Sequence, residues 1–113
     1  MPFNDLDRAR IKRQLAPFIE RRRPPAHLSN QLDLDYDITG QSIVLYFNRQ
    51  LRDGTPIREH IGKTTFVKSK GTWKVYWMRA DLKWHSYEPA PSVSNLDEWI
   101  ALLDQDPHGC FWG

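Results

Sequence analysis

The sequence predicts an α+β fold: a basic N-terminal helix, an antiparallel meander of four or five strands, and a C-terminal amphipathic helix packed on the sheet. Three observations carry this. Apolar residues recur at helical spacing near both ends of the chain, at Ile11, Leu15, Phe18 and Ile19 and again at Leu96, Trp99, Ile100 and Leu103. Between them the period falls to two, with Leu32, Leu34, Tyr36 and Ile38 alternating with Asp33, Asp35 and Asp37. Turn pairs (Thr39-Gly40, Asp53-Gly54, Lys70-Gly71) then divide the middle into short segments with no room for crossover helices, which calls for antiparallel hairpins in series.

Taken in order, Asn4 or Asp5 caps the first helix, and Arg21-Arg22-Arg23 places cations where the helix dipole is negative before Pro24-Pro25 ends it. Pro17 removes a backbone donor and crowds the carbonyl four residues back, so a kink or a break near Ala16 is expected. The first strand begins at Gln31. Further strands are expected over Ser42–Phe47, Ile57–Val67 and Thr72–Met78, with a short one over Leu82–Tyr87 after a bend at Arg79–Asp81. Pro89 and Pro91 close the meander. Ser94 and Asp97 fit a capping box for the last helix, Pro107 stops it, and the apolar tail Gly109–Gly113 is expected to dock on the core.

At 113 residues the chain suits one domain over 1–113, and 40% hydrophobic with 27% charged residues is the composition of a folded globule. The longest apolar run, Ile43–Phe47, is far short of the ~20 residues of a membrane span. The opening MPFNDLDRAR has no apolar signal core, and the single Cys110 cannot close an internal disulfide, so a cytoplasmic protein with no membrane partner is expected. The net charge of +2 is unevenly spread. Residues 1–25 carry seven cations against three acids and residues 63–83 six against one, whereas residues 84–113 carry five acids and no Lys or Arg. Such segregation suits an anionic partner, or pairing between the ends within one chain or between two copies.

Three segments, RRRPP (Arg21–Pro25), WKVYWMRADLKWHSYEP (Trp73–Pro89) and GCFWG (Gly109–Gly113), stand in an order and at a chain length that resemble the small bacterial proteins catalogued as domain of unknown function 3024. The resemblance covers essentially the whole chain and implies no activity, cofactor or catalytic residue. Pro17 departs from that family's first helix.

Lys63–Pro89 holds three of the five tryptophans and six of the sixteen Lys and Arg residues. Trp73, Val75, Trp77 and Arg79 fall on one side of a strand and Lys74, Tyr76 and Met78 on the other, so the tryptophans read either as core beneath the helices or as a platform for bases. The leading functional expectation is a non-enzymatic binding module for an anionic partner such as nucleic acid, built from Lys68, Lys70, Lys74, Arg79, Lys83, Trp84 and His85. Such a module should present Lys68, Lys70, Lys74 and Lys83 on one exposed face. No cofactor and no metal is called for.

Two other classes compete. Asp81 and Lys83 could serve a metal-dependent phosphodiesterase, given a second carboxylate from Asp33, Asp35, Asp37 or Asp53. A scaffold could form a homodimer through oppositely charged ends and an exposed strand edge. An Arg79 pair with Asp81 or Glu88 is expected to fix the bend. The three alternating aspartates are too far apart for one ion and read as a solvated stripe crossed by lysines. Zinc on His108 and Cys110 with His27, His60 or His85 lacks any close ligand pair, and Cys110, weighed as a nucleophile with His85 as base, reads instead as a small apolar residue. Arg21–Arg23 with Arg10, Lys12 and Arg13 could grip phosphates; the alternative, slightly favoured, is that the triplet ends its helix and pairs with the acidic last helix of the same chain or of another.

Overall fold

The computed structural model describes residues 2–25, 27 and 32–112. Helix α1 spans Asp5–Arg22 and α2 spans Leu96–Gln105; between them lie β1 (Leu32–Thr39), β2 (Ser42–Gln50), β3 (Pro56–Val67), β4 (Thr72–Met78), β5 (Trp84–Ser86) and β6 (Ser92–Val93). The α+β class and the antiparallel meander are as the sequence predicts. The strands run in the order β1-β2-β3-β4-β5, and β6 joins the edge of β4 beyond β5. The expected start of β1 at Gln31 and the last tail residue, Gly113, lie outside the described residues.

Three local expectations are corrected. The helix does not break near Ala16: α1 is continuous through Pro17. Pro17 and Arg13, whose carbonyl loses its helical partner, are both exposed, so water can satisfy that carbonyl. The turn beyond the proline is held by Phe18 and Ile19 in the core and by Arg21 and Arg22 on Asp104. Helix α2 is capped by Asn95, one residue later than expected: Glu98 N–H donates to Asn95 Oδ1 at 3.0 Å, and the Glu98 carboxylate accepts from the N–H of Ser94, the residue before the cap, at 3.1 Å. The strand expected over Leu82–Tyr87 shortens to β5, because Leu82 takes a left-handed conformation (φ 61°) and closes a turn onto the Arg79 carbonyl.

Both helices pack on one face of the sheet. Ile11, Leu15, Phe18 and Ile19 of α1 and Leu96, Trp99 and Leu103 of α2 share one apolar cluster with Leu34, Ile43, Leu45, Ile61, Trp73 and Val75 of the strands. The tail closes this layer. Phe111 lies against Gly62, and Trp112 meets Phe18 and Phe47, lies 4.7 Å from the Arg22 guanidinium and donates its indole N–H to the Leu103 carbonyl. The opposite face of the sheet carries neither helix.

Strand β1 forms one edge of the sheet, and two of its outward backbone groups are engaged. The Arg8 guanidinium donates to the Ile38 carbonyl at 3.3 Å, and the Tyr36 N–H donates to the Asp35 carboxylate at 2.8 Å. Arg23 pairs with Asp33 at 3.3 Å. Charged side chains laid along an edge in this way oppose the addition of a foreign strand.

Candidate anion-binding face

The uncovered face is assembled by the β3–β4 hairpin. Gly71, at φ +64°, makes the turn that a side chain would strain, and its N–H donates to the Val67 carbonyl at 2.8 Å. The register that follows sets Lys63 opposite Tyr76 and Thr65 opposite Lys74. Ser86 of β5 then falls opposite Tyr76, Trp84 opposite Met78, and Ser92 of β6 opposite Lys74. Directly paired residues share a face, so Lys63, Lys74, Thr65, Tyr76, Ser86 and Ser92 all lie on the uncovered side. Lys70, Lys74, Tyr76, Thr72, Ser86 and Ser92 line a hollow of about 270 Å³.

Beyond the hollow the face is aromatic. Lys63 Nζ lies 5.4 Å from the Tyr76 ring centre, and the His60 ring meets the Trp84 indole edge-on at 5.6 Å. A β-bulge brings His60 here. Leu45 pairs with Gly62 but Tyr46 pairs with His60, so Ile61 is an extra residue that enters the core and reverses the alternation of β3. Tyr46 also belongs to this face although it is only 2% exposed, because the Arg58 guanidinium stacks 3.8 Å above its ring. Its hydroxyl donates to Asp37, which also pairs with Arg58 at 2.8 Å. Desolvation first, then that hydrogen bond, push the Tyr46 pKa up to about 12. His60 moves the other way: partial desolvation and the nearby Arg58 charge hold it below the usual imidazole value, partly offset by Asp37.

The sequence-derived candidates divide among several places. Lys70 and Lys74 meet at the hollow, and Trp84 shares their face. Lys68 sits on the same hairpin turn but borders a cleft on the helix side. Arg79 and Lys83 lie in the β4–β5 turn, at the other end of a seven-residue strand that spans roughly 20 Å. His85 faces the helix side, paired with Trp77. Trp73, 9% exposed, is core and packs on Phe66 and Phe3. Sequence reading does not name Lys63, Tyr76, His60 or Arg58 among the anion-binding candidates, and weighs His60 only as a zinc ligand. The Lys70-Gly71 turn fixes the pairing of Lys63 with Tyr76 and could have revealed it, whereas His60 depends on the bulge.

The expected Arg79 ion pair is replaced by a stack. The Arg79 guanidinium lies 5.7 Å from the Trp77 ring, while Asp81 accepts from the Lys83 N–H at 3.0 Å and contacts His85 Nε2 at 2.8 Å. These contacts, His85 first, hold the Asp81 carboxyl below its ordinary pKa. The turn closing on Leu82 turns Asp81 back on its own loop and leaves Arg79 to follow the strand face shared with Trp77. The aspartate stripe is crossed by arginines rather than the expected lysines: Arg23 meets Asp33 and Arg58 meets Asp37. Among the described residues, no group of three or more His, Cys, Asp or Glu side chains is placed to hold a metal ion. Burial and the neighbouring Asp106 push the Cys110 thiol up, opposite to the shift that activates a nucleophile.

The family model described as "Domain of unknown function (DUF3024)" matches residues 3–113. The chain belongs to the DUF3024 family. No curated protein and no solved structure matches it. In this DUF3024 chain the resembling segments have separable structural roles. Arg21 and Arg22 fasten α1 to Asp104 of α2, and in the last segment Phe111 and Trp112 pack on the core. Trp73–Pro89 builds the hairpin whose outer side is the lysine and hydroxyl hollow. The DUF3024 match therefore spans the whole candidate face without itself assigning a function. Among the described residues, no helix is long and apolar enough to cross a membrane.

Proposed function

We propose that the protein is a non-enzymatic binding module that takes a single-stranded nucleic acid across the uncovered face of its sheet. The observation that carries the reading is the hollow in which Lys70 and Lys74 stand with the hydroxyls of Thr72, Ser86 and Ser92 beside the Tyr76 ring. Ammonium groups and hydroxyl donors suit a phosphate, and an adjoining ring suits the base attached to it. From there Lys63, Trp84 and His60 continue the pattern along the sheet. The Asp33, Asp35 and Asp37 stripe on β1 bounds the path on one side by repulsion.

Duplex fits this surface less well, because stacking needs unpaired bases. Arg79, Lys83 and His85 stand apart from the hollow and enter this reading only as distant contributors of charge. Hydrolysis around Asp81 and Lys83 would need a second carboxylate, and Asp81 is already engaged by its own turn. Pairing of β1 edges between two copies is opposed by the Arg8 and Asp35 contacts.

Fluorescence anisotropy with a labelled single-stranded oligonucleotide tests the reading. Three lysines, Lys63, Lys70 and Lys74, give an expected slope of log affinity against log salt of about −2 for a single strand. Tyr76→Ala is expected to cost about 1–3 kcal/mol of binding, the value of one stacked base. Lys70→Gln with Lys74→Gln should flatten the slope. No binding at low salt, or equal binding by the Tyr76 variant, would remove the proposal, and Mg²⁺-dependent cleavage lost in Asp81→Ala would replace it with the nuclease.

A further inference from the structure

A second concavity lies on the helix side of the sheet, away from the proposed nucleic-acid face. It is a cleft of about 590 Å³ between the start of α1, the β3–β4 turn and the start of α2. That volume falls within the range of small-molecule sites. Its wall is an aromatic cluster: Phe3 and Trp73 rings 5.8 Å apart, Phe66 and Trp73 at 5.1 Å, and Phe3 and Phe66 at 6.4 Å. The chain builds this wall from two directions. Phe3 is set by its N–H on the Gly40 carbonyl, and Phe66 by its N–H on the Gln41 carbonyl, so both rings are pinned to the β1–β2 turn.

The polar rim is unevenly charged. Arg10 and Lys68 are exposed cations bordering the cleft, and neither takes part in an ion pair among the described residues. Asp7 is the one acid in the lining, and it is engaged in the α1 capping box, accepting from the Asn4 N–H at 3.3 Å. Gln14 is turned to Asp97 at 3.5 Å. The side-chain oxygens of Asn4 and Asn95 are spent on the Asp7 and Glu98 amides. The rim cations, with the Ser94 hydroxyl and the Gln41 amide, are the polar groups left to meet a ligand, and the exposed edges of the rings, Phe3 and Trp73 at 9% each, supply the apolar surface beside them.

We propose that this cleft binds a small planar aromatic anion, its ring against Phe3, Phe66 and Trp73 and its carboxylate or phosphate between Arg10 and Lys68. The inference is independent of the nucleic-acid reading, since Lys68 and Trp73 take no part in the sheet-face hollow. Cation and ring are both required: a bare anion has only two solvated side chains to meet, and a neutral ring forgoes the charge.

The test is a two-dimensional NMR titration of the full chain with four probes: 1-naphthyl phosphate, 1-naphthoate, 1-naphthol and inorganic phosphate. Saturable shifts at the amides of Phe3, Phe66 and Gly71 and at the Trp73 indole are expected with one or both aromatic anions. The stronger of the two identifies the anionic group. 1-Naphthol and inorganic phosphate are each expected to bind about tenfold more weakly or worse. Arg10→Gln with Lys68→Gln, both surface changes, should bring the aromatic anion down to the affinity of 1-naphthol. Equal binding by 1-naphthol, no saturable shift with either aromatic anion, or shifts confined to Lys74, Tyr76 and Trp84 would each overturn the proposal. The last result would place the ligand on the sheet face.

Discussion

Replacing Pro17 with alanine should stabilise the fold, and the size of the gain follows from the helix around it. A proline inside a helix costs about 3 kcal/mol relative to alanine, through the missing N–H and the clash with the carbonyl four residues back. In α1 that carbonyl belongs to Arg13. Because Pro17 is exposed, Pro17→Ala loses no core packing and restores one backbone bond. Against this, alanine returns about 0.4–1 kcal/mol of conformational freedom to the unfolded chain. The net expectation is about 2 kcal/mol. For 113 residues the unfolding entropy near the transition is roughly 0.24 kcal/mol/K, so Tm should rise by about 8 °C. Calorimetry with the helical circular dichroism signal measures it, and hydrogen exchange should show a protected amide at residue 17. An unchanged or lowered Tm would refute the reasoning and mean that the proline directs Phe18, Ile19 and Arg22 onto their partners.

Other consequences are equally direct. In Gly62→Ala the new Cβ would lie 3.1 Å from Leu103 Cδ2 and 3.3 Å from Phe111 Cδ1, both buried, so urea unfolding should show a loss of about 1–2 kcal/mol. The Tyr46 hydroxyl titrates higher folded than unfolded, so its contribution to stability is complete below pH 10 and lost as pH rises through about 12. Tyr46→Phe should therefore reduce the fall in urea midpoint between pH 9 and pH 11; Tyr36 and Tyr87 shift the same way and leave a remainder. His60 is neutral at pH 7 and gains a charge as pH falls below its lowered pKa, beside Arg58 and Asp37. Oligonucleotide affinity should rise as pH falls below the ordinary imidazole value, and His60→Gln should flatten that rise.

How far the sequence could be read depended on the range of the interaction concerned. The α1 stripe, the α2 stripe and the hairpin turns are local signals, and each is found where the spacing puts it. The pairing of the arginine triplet with the last helix was legible from opposite charge alone, and Arg21 and Arg22 meet Asp104. Long-range packing was otherwise not legible. Opposite charge did not tell that this pairing, across more than eighty residues, would hold the turn beyond Pro17 in the helix. The extra residue Ile61 leaves no turn signature, yet it decides which side of β3 carries His60. Alternation placed Trp73 and Tyr76 on opposite sides but could not say which side the helices would cover. The helices chose the side of Trp73 and Trp77, so the aromatic platform passed to Tyr76 and Trp84. Lys68, Lys70, Lys74 and Lys83 looked like one patch because they are near in sequence, but β4 carries Lys83 to its far end.

The most direct test of the account is to map the binding surface. A titration of isotope-labelled protein with a short single-stranded oligothymidylate at low salt, followed by amide, indole and lysine side-chain resonances, reads every part of the proposed face at once. Saturable, salt-sensitive shifts are expected at Lys63, Lys70, Lys74, Tyr76 and Trp84, with the helices unmoved. Shifts centred on α1 or on the β4–β5 turn, or a spectrum unchanged at low salt, would contradict the account.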